Sequence, residues 1–204
     1  MTNYLYQEDL PDNLNLGEIV AVDTETMGLK PHRDRLCLVQ LSSGDGNTHI
    51  VQISASQFSA PNLCSILSNP RILKIFHFGR FDIAVLFHKF NILSEPVYCT
   101  KIASKLVRTF TERHGLKNLL QELMSIDISK QQQSSDWGNK ILTDAQIEYA
   151  ASDVLYLHEL KKILDNMLER EKRTDIAQSC FDFLPKRAEL DILGWRDHDI
   201  FSHT

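Results

Sequence analysis

The chain reads as one α/β domain built on a mixed sheet, and three observations predict it. Short apolar runs at residues 19–22, 36–41, 48–53 and 72–76 have the length and branched content of buried strands. From residue 61 onward, stretches with helical apolar spacing separate and follow the last of these runs. No repeat, low-complexity tract or long linker divides the 204 residues, enough chain, at 43% apolar composition, for a sizeable core.

Each element has a local reason. The first run ends in Asp23, as a strand does where it leaves the core. The turn Ser43-Gly44-Asp45-Gly46-Asn47 makes an antiparallel hairpin of the next two. Pro61 suits the first turn of a helix that must stop before Asn69-Pro70. After the fourth strand, residues 81–90 form a helix, and an extended piece near Val97 precedes another starting about Thr100. Leu116, Leu119, Leu120, Leu123 and Met124 recur at i, i+3, i+4, i+7 and i+8, the stripe of an amphipathic helix. Thr143 and Gln146 form a capping box that opens one long helix, with the core stripe Ile147, Ala150, Val154, Leu157, Leu164 and Leu168. The tail adds a helix around residues 176–190.

No stretch approaches the ~20 apolar residues of a membrane span. Residues 1–9 lack the basic start and apolar run of a secretory signal, so a cytoplasmic protein without a membrane partner is expected. Cys37, Cys64, Cys99 and Cys180 are scattered, with no C-x-x-C pair, and read as small packing residues. The net charge of −5 argues against simple electrostatic binding of nucleic acid, but its distribution is uneven. Lys101, Lys105, Arg108, Arg113 and Lys117 form one basic segment; Lys30, Arg33 and Arg35 form another. Two such patches suit a polyanion held near carboxylates, or are solvated surface.

The chemistry lies at three places. Asp23 and Glu25 stand two apart at a strand end and therefore project to one face. Like charges so close raise each other's pKa unless a cation neutralises them. Asp82, in His77-Phe78-Gly79-Arg80-Phe81-Asp82, falls in the first turn of a helix, where the dipole also favours an acid. Tyr149 and Asp153 are one helical turn apart beside an apolar stripe, a costly place for an aspartate without a partner or metal. Hard divalent cations such as Mg²⁺ need only a few carboxylates plus water and phosphate oxygens. Two such ions ~4 Å apart can clamp a displacement at phosphorus. In that scheme Asp23 bridges both ions, Glu25 and Asp153 complete one, Asp82 supports the other, and the Tyr149 hydroxyl orients or helps deprotonate water.

In order, Asp23-x-Glu25, Asp82 and Tyr149-x-x-x-Asp153 resemble the exonuclease motifs of the DEDD superfamily, and the tyrosine places them with the DEDDy branch. The stretch HGLKNLLQELMSIDISKQQQSSDW…LTDAQIEYAASDVLYL, residues 114–157, resembles ribonuclease D, and the likeness extends over about residues 17–170. It implies a ribonuclease H-like fold, two Mg²⁺ or Mn²⁺ ions, and 3′–5′ release of nucleoside monophosphates. It also carries metal ligation onto Asp23, Glu25, Asp82 and Asp153, and water activation onto Tyr149. Thr26 and Leu29 would hold the terminal nucleotide, Leu29 as a wedge against its base. His77 reads as a positioning or packing residue, substrate contact being the lesser reading. Lys117 either meets a phosphate or is a solvated helix lysine, and Trp137 either anchors a loop or stacks on a base.

The expected partner is single-stranded or 3′-overhanging RNA, with DNA, short oligonucleotides or inactive nucleic-acid binding as alternatives. No obligate protein partner is evident. Residues 1–170 form the expected exonuclease domain and residues 171–204 a helical extension packed on it. That tail matches none of the exonuclease motifs, and the chain lacks the helical C-terminal domains of ribonuclease D. Cys99-Thr100 stands where that family often has Asp-Thr, outside the catalytic residues.

Overall fold

The computed structural model describes residues 2–56 and 59–203. Its strands are β1 (Asn3–Gln7), β2 (Ile19–Thr26), β3 (Leu36–Ser42), β4 (Thr48–Gln52), β5 (Leu73–Phe76) and β6 (Val97–Cys99). They make one six-stranded sheet in the order β1-β4-β3-β2-β5-β6. β3 pairs antiparallel with β2 and with β4, the latter being the expected hairpin, while β1–β4, β2–β5 and β5–β6 are parallel. The sheet is therefore mixed. β2, with its paired acids, lies inside it, and its C-terminal half outruns β5, whose pairing stops at Ala21.

Strand β1 has no counterpart in the sequence reading. It is an edge strand with little buried surface, so it carries no apolar alternation to detect. Side-chain contacts fasten it instead: the rings of Tyr4 and Tyr6 stack on His49 of β4 at 5.1 and 5.9 Å, and the Tyr6 hydroxyl meets His49 Nδ1 at 3.0 Å.

The helices are α1 (Pro61–Leu67), α2 (Arg80–Phe90), α3 (Thr100–Val107), α4 (Leu116–Met124), α5 (Asp144–Leu155), α6 (Leu157–Arg170) and α7 (Thr174–Leu190). The capping box forms at the start of α5: Gln146 N donates to Thr143 Oγ1 at 3.3 Å, and Thr143 N to Gln146 Oε1 at 3.0 Å. The single long helix expected from there is two helices. Tyr156, at φ −104° and ψ 0°, breaks the axis. The reason is packing: α5 lies on β2, β3 and β4, whereas α6 lies on α3, so one straight axis does not serve both. The apolar stripe nevertheless continues across the break through buried Leu157, Leu160, Leu164 and Leu168.

Both faces of the sheet are covered, which is why β3 is buried along its whole length. Under α5 a small cluster joins Cys37, Leu38, Ile50, Trp137, Leu142 and Ala150. The main core takes the remaining apolar strand residues together with α1, α2, α3, α4, α6 and α7. Helix α7 joins it through Ala177, Phe181, Leu184 and Ala188, and Phe181 packs on Tyr98 of β6 at 4.5 Å. A kinked turn, Asp191–Trp195, follows α7, with Gly194 outside helical geometry at φ 107°.

Several arginines of the two basic segments are engaged within the chain. Arg108 is 1% exposed and pairs with Glu122, which Arg113 also meets at 3.2 Å. Arg33 pairs with Asp34 at 2.6 Å, and Arg35 donates to the carbonyls of Ile53 and Gly138. Burial turns the Arg108 charge into structure, while Arg33 and Arg113 stay exposed in their pairs. Among the described residues no helix is long and apolar enough to cross a membrane, and all four cysteines are free.

Candidate active site

The site grows from the end of β2. Alternation along the strand turns Asp23 and Glu25 to one face, and helix α5 crosses that face carrying Tyr149 and Asp153. Carboxylate oxygens of Asp23, Glu25 and Asp153 all lie within 4.8 Å of one another. Thr24, between the two strand acids, has a role the sequence reading did not assign: its hydroxyl donates to Asp82 Oδ1 at 2.6 Å. That bond ties the first turn of α2 to β2 and holds Asp82, 4% exposed, beside the other three. Asp82 is not within the tight group of three, but its charge acts on Asp23, Glu25 and Asp153.

Electrostatics makes this cluster unusual. Burial, then the neighbouring carboxylates, pushes Asp23 well above the usual carboxylate range and Glu25 up to about 9. Burial raises Asp82 to about 7 against the opposing Thr24 hydrogen bond. Asp153 is likewise raised by burial to about 7, and the Tyr149 hydroxyl facing it works in the opposite direction. The phenol itself is pushed up by burial and by the acids around it. Among the described residues no lysine, arginine or histidine makes an ion pair with any of the four acids. Crowded oxygen donors, part-buried and without a cation, match what a hard divalent ion requires, and neither histidine nor cysteine stands among them.

The acids line a cleft of about 670 Å³. Thr26 Oγ1 donates to Gly28 O at 2.5 Å, shaping the loop after β2, and Leu29 stands 74% exposed on the same wall. Gly28 is required there, because a Cβ would come within 2.3 Å of Asp34 Oδ2. His77 lines the cleft with its Nδ1 at 2.9 Å from Thr100 Oγ1, and burial lowers its pKa to about 3, so the ring is neutral. Lys117 is at the cleft and 3.0 Å from Asp127, an exposed pair that leaves the ammonium free to exchange partners. Trp137 is 2% exposed and packs its ring 5.9 Å from that of Tyr149. It supports Tyr149 from behind and offers no face to a base.

Phe78 escaped the sequence reading. It sits exposed in the cleft at φ 65°, a rare conformation for an aromatic residue, with Lys101 Nζ 4.3 Å over its ring. Lys130 also lines the wall and acts electrostatically on Asp153. The Phe78-Gly79 step between strand and helix was the available signal for the first; a lysine in a polar loop gives none for the second.

A mixed α/β sheet presenting clustered carboxylates at the end of an inner strand is a site suited to a divalent cation. The 3′-5′ exonuclease family matches residues 6–169, and the chain belongs to that family. It is 33% identical over 168 residues to ribonuclease D of Gluconacetobacter diazotrophicus, a match covering 82% of this chain and 42% of that protein. Ribonuclease D of Acidiphilium cryptum is 34% identical over 166 residues, covering 81% and 42%. The chain thus spans about two fifths of these curated relatives. Full-length agreement is found with Brucella melitensis NrnC: 56% identity, a TM-score of 0.96 and complete coverage of both chains for the form with bound Mg²⁺. The form bound to pGG gives 57% and 0.97, again over both whole chains. Escherichia coli ribonuclease D superposes with a TM-score of 0.75 at 26% identity, over 84% of this chain and 45% of that one. The fold is the ribonuclease H-like one of these exonucleases, and the chain carries a 3′–5′ exonuclease domain of the ribonuclease D and NrnC type.

Proposed function

We propose that the enzyme is a 3′–5′ exoribonuclease that uses two divalent ions, Mg²⁺ or Mn²⁺, and releases nucleoside 5′-monophosphates from single-stranded or 3′-overhanging RNA. The observation that carries this reading is the convergence of Asp23, Glu25 and Asp153 within 4.8 Å, with Asp82 beside them and, among the described residues, no ion pair to any of the four. Asp23, Glu25 and Asp153 would hold one ion, and Asp23 with Asp82 the other. Bound there, the ions would supply Lewis-acid stabilisation of charge at the reacting phosphate. Burial keeps the Tyr149 phenol protonated at neutral pH, so its part is to position the attacking water by hydrogen bonding. Leu29, exposed on the wall, wedges against the terminal base while the backbone at Thr26 faces the terminal nucleotide. His77 is neutral and fixed to Thr100, and acts by placing the wall of the cleft.

Short substrates suit this chain. An NrnC structure that matches the chain over its whole length is bound to pGG. Residues 1–170 are the exonuclease domain in this reading and residues 171–204 an extension on it; Thr204 lies outside the described residues. Free cysteines support a reducing, cytoplasmic setting.

The test is a length series of 5′-labelled RNA, from dinucleotide to long strands, with matched DNA, in Mg²⁺ and in Mn²⁺. Stepwise loss of monophosphates from the 3′ end is expected, with the shortest RNA cleaved readily. Equal or faster cleavage of DNA would overturn the RNA assignment. Binding without release of monophosphates would overturn the enzyme.

A further inference from the structure

The segment after α7 lies beyond the residues matched by the exonuclease family, which end at 169, and yet it is tied to the cleft at two points. The first tie is to α2. Asp191, buried, accepts from Arg80 Nε at 2.6 Å and from Nη2 at 2.8 Å, a two-pronged contact, and Arg187 meets the same carboxylate at 3.2 Å. Arg80 stands two residues before Asp82 and also donates to the carbonyl of Arg196 at 2.7 Å. The second tie reaches the opposite wall: Arg196 Nη1 donates to the backbone carbonyl of Leu29 at 2.7 Å. Between the two, Arg187 Nη2 lies within hydrogen-bond distance of the carbonyls of Trp195, Arg196 and His198, which fixes the path of the strap. Gly194, at φ 107°, makes the reversal that aims Arg196 at the cleft, a conformation that strains any side chain.

We propose that this C-terminal strap is a brace for the substrate end of the cleft, with Arg196 as the positioning residue that fixes the height of Leu29 over the terminal nucleotide. The loop between β2 and β3 is held from within by Asp34, which accepts from Lys30 N at 2.9 Å and pairs with Arg33. It is held at its far end by Arg35 donating to Gly138 O at 3.1 Å and by the edge contact of His32 with His88 of α2 at 5.2 Å. None of these contacts is made by the exposed apolar tip, Leu29, whose backbone carbonyl accepts instead from Arg196. Leu29 and Asp82 belong to different segments of the chain, so a rigid strap bonded to both walls sets the distance between the base wedge and the acids. An arginine suits this, since its several donors can satisfy a carbonyl across an exposed gap while its own backbone is held by another guanidinium. The brace rests on the role of Leu29 given under Proposed function.

The test uses the full chain with Arg196→Ala, Arg196→Lys and Gly194→Ala. Hydrogen exchange of residues 27–34 is read in the apo protein, KM and kcat on short RNA in Mn²⁺, and the rise in unfolding temperature on adding Mn²⁺. Arg196→Ala is expected to speed exchange in that loop and to raise KM about tenfold, the size of a lost charged hydrogen bond. kcat and the Mn²⁺ stabilisation stay as in the wild type, Arg196→Lys recovers part of the KM, and Gly194→Ala shifts KM in the same direction. Unchanged exchange and KM in Arg196→Ala would overturn the brace, as would kcat and the Mn²⁺ effect falling together with KM, which marks general damage. A wild-type enzyme that releases no nucleotide would sink the proposed function and this role with it, whereas loop exchange still reports the tie itself.

Discussion

Under α3 and α4 the guanidinium of Arg108 is withdrawn from water and answered from several sides. Glu122 pairs with it, the carbonyl of Arg113 accepts at 2.8 Å, and the neighbouring Ser104 is itself bonded to His114 at 2.8 Å. At the floor of the cleft four carboxylates are withdrawn from water as well, but what answers them is a threonine hydroxyl, a phenol, the unbonded charge of Lys130 and one another. Both places carry the cost of burying charge. Only the first repays it within the chain. The difference teaches where to look for function: a satisfied buried charge holds a fold together, and an unsatisfied group of like charges is a receptor for something the chain does not contain.

Substitutions at the cleft should break this contrast most severely. Asp23→Asn or Asp153→Asn removes a carboxylate that no other side chain replaces, and hydrolysis of short RNA should fall by roughly 10³-fold or more, the several kcal/mol that metal stabilisation supplies. Activity near wild type in saturating Mn²⁺ would take that residue out of the site. Tyr149→Phe should cost roughly 10²–10⁴-fold in kcat, the range for a positioned proton-transfer group, with Mn²⁺ binding preserved. An unchanged kcat would reduce Tyr149 to a packing partner of Trp137.

At the satisfied site the effect should appear in stability alone. Glu122→Ala leaves the buried Arg108 charge without its partner, and because Glu122 is itself partly exposed the expected loss is about 2 kcal/mol in urea unfolding. Turnover per folded molecule should not change, so a loss of kcat there would mean the two clusters are coupled.

The smallest effect is a pH dependence that sharpens the comparison. Asp82 and Asp153 are held near 7 and Glu25 near 9 by burial, all above their values in an unfolded chain. Between about 4 and about 9 these acids therefore bind more protons in the folded metal-free protein than in the unfolded one, and their contribution to stability falls as pH rises through that window. Divalent ions compete with those protons, so the Mn²⁺-induced rise in unfolding temperature should be larger at pH 8 than at pH 5. The opposite order in a thermal scan would mean the acids are not the ion's ligands.

Much of this was legible along the chain because it is local. The strand of residues 19–22, the hairpin at Gly44-Asp45-Gly46, the Thr143 capping box and the helical spacing of Tyr149 and Asp153 depend on neighbours a few residues away. What failed depended on distant partners. β1 is a strand because β4 lies beside it, and α5 parts from α6 because one rests on the sheet and the other on α3. Arg108 looked like surface charge because nothing in its own segment announces Glu122 of α4.

The sequence by itself determined the kinds of element, the ordered set of acids with their tyrosine, and the pairing of Asp23 with Glu25 on one face, since backbone periodicity decides these. Tertiary structure alone decided that Asp153 comes within 4.8 Å of them, that Thr24 holds Asp82, and that Arg196 reaches Leu29 across the cleft. Contacts between residues far apart in the chain arise only when the packed core fixes the directions of whole helices and strands, and no local pattern encodes those directions.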